Sequence, residues 1–189
     1  MKPLSIFSEN NHIRAHYKDK LGISYLQTSL KNCLLQAQNR QVILLCIGTD
    51  RSTGDSLGPL TGTKIKEKCF PGLKVVGTLE QPVHAENLQV TLDRINFIYE
   101  NPYIIALDAC LGNIDSVGFI TLTQGPLKPG TAVGKELPEV GEIHLTGVVN
   151  VNGFAQYLIL QNTRLYTVWQ MSDVICHIFS KIYCSKFNN

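Results

Sequence analysis

Residues 42–59 read VILLCIGTDRSTGDSLGP, an apolar run that passes into a loop containing three glycines and two aspartates. A short run that is apolar at every position predicts a strand buried on both faces of a sheet. Residues 60–70 after the loop predict a helix, which Pro71 and Gly72 end. A second apolar run, Tyr103–Leu107, leads directly into Asp108. Both runs therefore predict buried strands that are followed by aspartates, Asp55 in the first loop and Asp108 after the second run.

Helical and extended patterns alternate along most of the chain. The hydrophobic spacing predicts helices over 24–38, 60–70, 84–100, 152–161 and 164–184, and strands over 42–47, 73–79, 103–107, 117–122 and 142–149. Strand–helix–strand alternation requires right-handed crossovers and predicts a mostly parallel sheet. Ligands of such sheets collect beyond the carboxyl ends of the strands. We therefore expect Asp55 and Asp108 to face each other at that edge.

The chain has 189 residues, enough for one domain with a sizeable core. Residues 1–20 are polar and predict a loosely held amino-terminal arm. Residues 21–189, without linker or repeat, predict a single α/β hydrolase-like domain.

The composition excludes several classes of partner. A formal net charge of +2 and the lack of a basic run predict neither a nucleic-acid nor a membrane partner. No apolar stretch approaches the roughly 18 residues of a spanning helix, and the amino terminus has no signal core, so we expect a cytoplasmic protein. The six cysteines contain no Cys-x-x-Cys pair, so reduced thiols are expected rather than a zinc knuckle or a thioredoxin motif.

Asp55 and Asp108 are the predicted catalytic residues. Two neighbouring carboxylates cannot both ionise easily, so they share a proton and can activate water. Each also has a structural explanation, Asp55 as the cap of the following helix and Asp108 as a turn residue. No bound metal is predicted, although a divalent ion bridging the pair stays open if a third ligand exists. His84 has the best position for that ligand, and capping explains it as well.

Two further chemistries have weaker support. Cys110 would be a nucleophile with His84 as its base, but no local signature accompanies it. The glycine-containing loop fits neither the dinucleotide-binding nor the P-loop pattern, so a nucleotide cofactor is not predicted.

Three segments of the chain resemble the germination protease of spore-forming bacteria. The loop of residues 47–59 with Asp55 before Ser-Leu-Gly-Pro resembles its first active-site loop, and residues 105–109 around Asp108 resemble its second aspartate segment. Residues 128–135, Lys-Pro-Gly-Thr-Ala-Val-Gly-Lys, resemble its Pro-Gly-Ser-Gly-Val-Gly loop. The matches keep the family's order over roughly residues 40–150.

The whole chain is similar to the shorter YyaC-type sporulation proteins, a group described as candidate spore proteases. Residues 48–59, 84–88 and, more weakly, 161–165 carry this resemblance. The fold also resembles that of hydrogenase maturation endopeptidases, whose metal-binding acidic residue falls on Asp55 and whose strand-end aspartate falls on Asp108. The third metal ligand of these endopeptidases is a histidine ahead of a late helix, and no histidine of this chain is assigned to that position. In the comparison with the germination protease, Lys128 stands where that protease has a histidine.

Pattern and resemblance together predict a three-layer α/β/α sandwich of the phosphorylase/hydrolase-like kind. They imply a peptidase of sporulating bacteria, located in the cytoplasm and in the forespore or spore interior, that acts on a protein or peptide. Residues expected to bind substrate or stabilise an oxyanion are Gly48, Gly58, Lys128, Gly130, Thr131, Gly134 and Lys135. The alternatives are a non-catalytic binding or regulatory protein on the same fold and a metal-dependent processing endopeptidase. The oligomeric state is not predicted.

Overall fold

The computed structural model describes residues 12–129 and 137–186. Within these residues a six-stranded sheet has the order β1-β5-β6-β4-β2-β3. The strands are β1 His12–His16, β2 Val42–Cys46, β3 Leu73–Val76, β4 Tyr103–Gly112, β5 Phe119–Gln124 and β6 Ile143–Val151. The helices are α1 Lys20–Leu35, α2 Leu57–Glu67, α3 Leu88–Ile98, α4 Gln156–Gln161 and α5 Leu165–Lys186. Strands β3, β2, β4 and β6 run parallel, whereas β5 and β1 are antiparallel to their neighbours.

Strand β2 shows why the sheet has helices on both faces. All five of its residues are buried, and they alternate between two cores. Val42, Leu44 and Cys46 belong to the core that contains residues of α1, α2 and α5. Ile43 and Leu45 belong to the core of α3, which contributes Leu88, Leu92 and Ile95. The predicted three-layer α/β/α sandwich with a mostly parallel sheet is confirmed.

The amino-terminal part of the chain differs from the loosely held arm that the sequence suggested. Residues His12–His16 form an edge strand that pairs antiparallel with β5. Ile13 and Ala15 point into the core, whereas His12 and Arg14 are exposed. Asp19 then accepts hydrogen bonds from the backbone N–H groups of Leu21 and Gly22 and so caps α1. A polar composition conceals this strand because only its alternate residues are buried.

Strand β4 is longer than the apolar run that predicted it. It continues from Leu107 through Asp108 to Gly112, because β6 pairs with it along this length. Strand β2 ends earlier, opposite Leu107. Asp108 therefore lies within a strand that extends beyond its neighbour, rather than in a turn. No helix within the described ranges is both long and apolar enough to cross a lipid bilayer.

Candidate active site

The loop after β2 is folded back on itself and holds Asp55 above the end of the strand. The Ile47 N–H donates to the Leu107 carbonyl oxygen at 2.7 Å, which continues the pairing of β2 with β4 by one residue. Gly48 has a φ of +140°, and a Cβ there would lie 2.0 Å from the Asp55 carbonyl oxygen. The Thr49 N–H donates to that same oxygen at 3.3 Å. Gly48 is therefore required for the tight loop that positions Asp55.

Helix α2 begins in direct contact with the end of β2. A Cβ on Gly58 would lie 2.1 Å from the Ile47 carbonyl oxygen, closer than any side chain tolerates. The loop is also tied to α4, because the Gly54 N–H donates to the Leu160 carbonyl oxygen at 2.8 Å. Gly58 thus acts by allowing close packing, and it is not among the residues that line the cavity described below.

The Asp55 side chain does not cap α2. The cap residue of this helix is Ser56, which makes no side-chain capping bond. The capping role that the sequence suggested for Asp55 is therefore wrong. Its carboxylate is partly buried and is not used for helix capping.

Asp108 is held by strand pairing. It lies opposite Thr146 of β6, and strand alternation places it on the same face as Ile104 and Ala106, the face covered by α3. Its Oδ1 accepts a hydrogen bond from the Ala109 N–H at 2.8 Å. One carboxyl oxygen is thus anchored, and the other can carry a proton.

A cavity of about 350 Å³ lies at the carboxyl edge of the sheet and is lined by both aspartates. The remaining lining residues come from the loops after β2, β3, β5 and β6 and from β4, β6 and α4: Ile47, Gly48, Thr49, His84, Ala85, Ala109, Cys110, Leu111, Leu127, Lys128, Pro129, Leu137, Thr146, Asn152, Gln156 and Leu160. The structure therefore brings Asp55, Asp108, Gly48 and Lys128 to one place. Gly130, Thr131, Gly134 and Lys135 lie outside the described residues.

The two carboxyl groups have unequal proton affinities. Burial, and then the neighbouring charge of Asp55, raise the pKa of Asp108 to about 8, against the hydrogen bond from Ala109, which lowers it. Burial also raises the pKa of Asp55 from its ordinary value. At neutral pH the site therefore holds a protonated Asp108 beside an Asp55 that ionises first.

His84 lines the cavity but does not complete a metal site in this structure. Its Nδ1 accepts a hydrogen bond from the Glu86 N–H at 3.4 Å, so the neutral ring carries its proton on Nε2. Among residues 12–129 and 137–186, no three His, Cys, Asp or Glu side chains converge as a metal ion requires. The described residues therefore do not fit a metal-bridged pair of aspartates.

The charge of Lys128 is already balanced. Its Nζ lies 2.9 Å from a carboxylate oxygen of Glu139, and both side chains are largely exposed. The structure therefore places Lys128 at the rim of the cavity in an ion pair, rather than as a lone cation facing the aspartates.

Cys110 does not have the properties of a nucleophile. Burial, and next the charge of Asp108, raise the pKa of its thiol to about 11, despite a hydrogen bond with Thr146 that lowers it. Thr146 is a site residue that the sequence pattern did not predict. The available signal was a polar residue on the side of the predicted strand 142–149 opposite to its buried residues.

Comparison with known proteins identifies a matching family and a solved structure with a similar fold. A family model described as "Protein of unknown function (DUF1256)" matches residues 14–178. The chain is 45% identical to the "Uncharacterized protein YyaC" of Bacillus subtilis (strain 168) over 172 residues, which cover 90% of this chain and 84% of that protein. The structure is similar to that of the [NiFe] hydrogenase maturation protease HycI from Thermococcus kodakarensis KOD1, with a TM-score of 0.53 and 13% identity. That match covers 78% of this chain and 95% of the protease, and at this identity it establishes the shared fold only.

Proposed function

The chain belongs to the family described as protein of unknown function DUF1256, and we propose that it is a peptidase in which Asp55 and Asp108 together activate water. One observation carries the proposal. Two carboxyl groups line one cavity at the carboxyl edge of the sheet, and their environments give them different proton affinities. Such a pair supplies a general base and a general acid at the same pH.

The roles follow from the order in which the groups ionise. The Asp55 carboxylate accepts a proton from a water molecule as the water oxygen attacks the carbonyl carbon of the peptide bond. The Asp108 carboxyl donates its proton to the carbonyl oxygen, which gives a neutral diol. The carbon–nitrogen bond then breaks as the proton on Asp55 passes to the leaving nitrogen, and a diol proton returns to Asp108. Each group ends in its starting state.

The lining of the cavity suits a peptide. Leu127, Leu137 and Leu160 provide apolar contacts, and Asn152 and Gln156 provide amide groups that can bind a backbone. The backbone N–H groups of Gly130, Thr131 and Gly134 are proposed to bind the carbonyl oxygen as negative charge develops on it, before Asp108 completes the proton transfer, with Lys135 adding charge. This loop borders the cavity through Lys128 and Pro129.

The structural neighbour and the resemblance to the germination protease both support the proposal. The structural neighbour from Thermococcus kodakarensis KOD1 is a maturation protease on a similar fold. The segments around Asp55, Asp108 and residues 128–135 resemble those of the germination protease. We therefore propose that the substrate is a protein of the forespore or spore interior.

The proposal is tested with an extract of sporulating cells that lack this protein. We expect the wild-type protein to release peptides with new amino termini, detected by mass spectrometry, and Asp55→Asn to release none. Asp115→Asn is the matched control, because Asp115 is an exposed aspartate on a short helical turn outside the cavity. Identical products from wild type and Asp55→Asn would favour a binding or regulatory protein. Cleavage that a chelator abolishes and zinc restores would favour a metal-dependent processing enzyme.

The pH dependence of cleavage provides a second test. We expect the rate to fall as the pH rises through about 8, because Asp108 then loses the proton that it must donate. The rate should also fall in acid as Asp55, whose pKa is raised by burial, becomes protonated. The measurement is kcat/KM against pH, with thermal melts at each pH to show that the protein stays folded. A rate that stays constant well above pH 8 would contradict the role of Asp108.

A further inference from the structure

Strand β3 is an outer edge of the sheet. It pairs with β2 on one side, and within the described ranges no strand pairs with its other side. An edge of this kind presents unpaired backbone N–H and C=O groups, which an added strand can bind. The four residues of β3 are short for this purpose, so neighbouring side chains would have to contribute.

A groove of about 360 Å³ follows this edge. Val75 and Val76 of β3 line it. Lys66 of α2 and four residues of α3, Thr91, Arg94, Ile95 and Ile98, also line it. We call this feature the β3 groove. Because its lining comes from helices on opposite faces of the sheet, the groove is bounded on both sides, as an extended chain requires.

The β3 groove carries positive charge that the fold does not neutralise. In the part of the chain that the structure describes, no carboxylate lies within ion-pair distance of Lys66 or Arg94, which line the groove, or of Lys74, which lies on β3 beside it. All three side chains are exposed. A second copy of this chain paired through β3 would bring these cations together, which disfavours self-association there. An acidic chain would instead meet complementary charge.

The groove is next to the candidate active site along the chain. Pro82 and Val83 line the groove, and the next residue, His84, lines the cavity. The Val83 carbonyl oxygen accepts a hydrogen bond from the Gly48 N–H at 2.7 Å, so this part of the groove is joined to the loop that holds Asp55. A chain lying along β3 would therefore approach the aspartate pair.

We infer that the β3 groove binds an extended, acidic segment of the protein substrate by strand addition, next to the site of cleavage. The identification of this segment as substrate rests on the proposed function, but binding itself does not. Backbone hydrogen bonds to β3 supply part of the affinity. Lys66, Lys74 and Arg94 select acidic side chains.

Binding is tested with the Asp55→Asn protein, so that no cleavage is needed. The probe is a short synthetic peptide that alternates glutamate and valine, added to isotope-labelled protein and followed by NMR. We expect saturable shifts of the amides of Lys74, Val75 and Val76, with a dissociation constant below about 1 mM. The same peptide with N-methylated backbone, or with lysine in place of glutamate, should not bind. Equal binding of either control peptide, or no saturable shift at β3, would overturn the inference.

Charge-reversal substitutions test whether the peptide binds at the β3 groove or at another part of the protein surface. Lys66→Glu and Arg94→Glu should each weaken peptide binding by at least about tenfold. Lys31→Glu makes the same charge change on an exposed position of α1 and should leave binding unaltered. A protein that sediments as a dimer, and becomes monomeric with Arg94→Glu, would show that a second copy occupies the edge and would also overturn the inference. Peptide binding without cleavage of any extract protein would leave the groove in place and remove only the proposed function.

Discussion

Replacing Asp108 with Asn is expected to abolish cleavage and to make the folded protein more stable at neutral pH. Asn retains the oxygen that accepts the Ala109 N–H, but it cannot donate a proton as the carboxyl does. The pKa of Asp108 is raised to about 8 in the folded protein, against an ordinary value near 4 in the unfolded chain. The folded state therefore binds one proton more than the unfolded state between these values, and stability falls as the pH rises through this window.

The expected change in the free energy of unfolding follows from the interval between the two pKa values of Asp108. At pH 7, about three units above the pKa of the unfolded chain, the Asn variant should unfold with a free energy higher by roughly 4 kcal/mol, since it carries no carboxyl whose ionisation favours the unfolded state. Near pH 4 the difference should largely disappear. Urea unfolding of both proteins at several pH values measures it, and Asp115→Asn again serves as the exposed control. A destabilised Asn variant at neutral pH would contradict the raised pKa of Asp108.

Loss of activity should be non-additive between the two aspartates. If Asp55 and Asp108 act as one unit, either Asn substitution should lower kcat by about a thousandfold or more, and the double variant should lose little beyond that. Cleavage of the protein identified in the extract experiment provides the assay. Losses that multiply in the double variant would indicate that the two residues act independently and not as one unit.

Substitution of Gly58 by Ala should strongly destabilise the protein. The new Cβ would lie 2.1 Å from the Ile47 carbonyl oxygen and 2.9 Å from the Ile47 carbonyl carbon, so α2 and β2 would have to separate. Overpacking of this kind costs about 3 kcal/mol, which lowers the melting temperature by roughly 10 °C in a chain of this size. Because α2 begins directly after Asp55, the displacement should also impair cleavage.

Gly153→Ala is the matched control for this substitution. Its new methyl group would meet only the end of the Ile159 side chain, at 3.2 Å, which can move aside. We therefore expect a small change in melting temperature by calorimetry. Equal melting temperatures for Gly58→Ala and Gly153→Ala would show that the contact between α2 and β2 relaxes more easily than the structure indicates.

Much of the sheet could be predicted because its signals are local. The run 42–47 is apolar at every position, and the corresponding strand β2 is buried on both faces. The same local reasoning placed Asp55 and Asp108 at the carboxyl edge of neighbouring parallel strands, and both line the same cavity. This result depends only on strand direction and on which residues follow each strand.

Other features depend on partners that are distant in sequence. Residues 108–112 become strand because β6 pairs with them, and His12–His16 becomes strand because β5 offers an edge. Neither segment has an apolar run of its own. The function of Gly58 as a contact point, rather than as a substrate-binding residue, likewise follows from the position of Ile47.

The residue types and their order along the chain were enough to predict a parallel sheet with two aspartates beyond its carboxyl edge. The proton affinities of those aspartates were not contained in that pattern. They arise from burial and from the approach of one carboxyl to another, which depend on how α2, α3 and β6 pack around β4. Desolvation and charge–charge interaction act through space, so the chemistry of Asp108 exists only once these distant segments have come together.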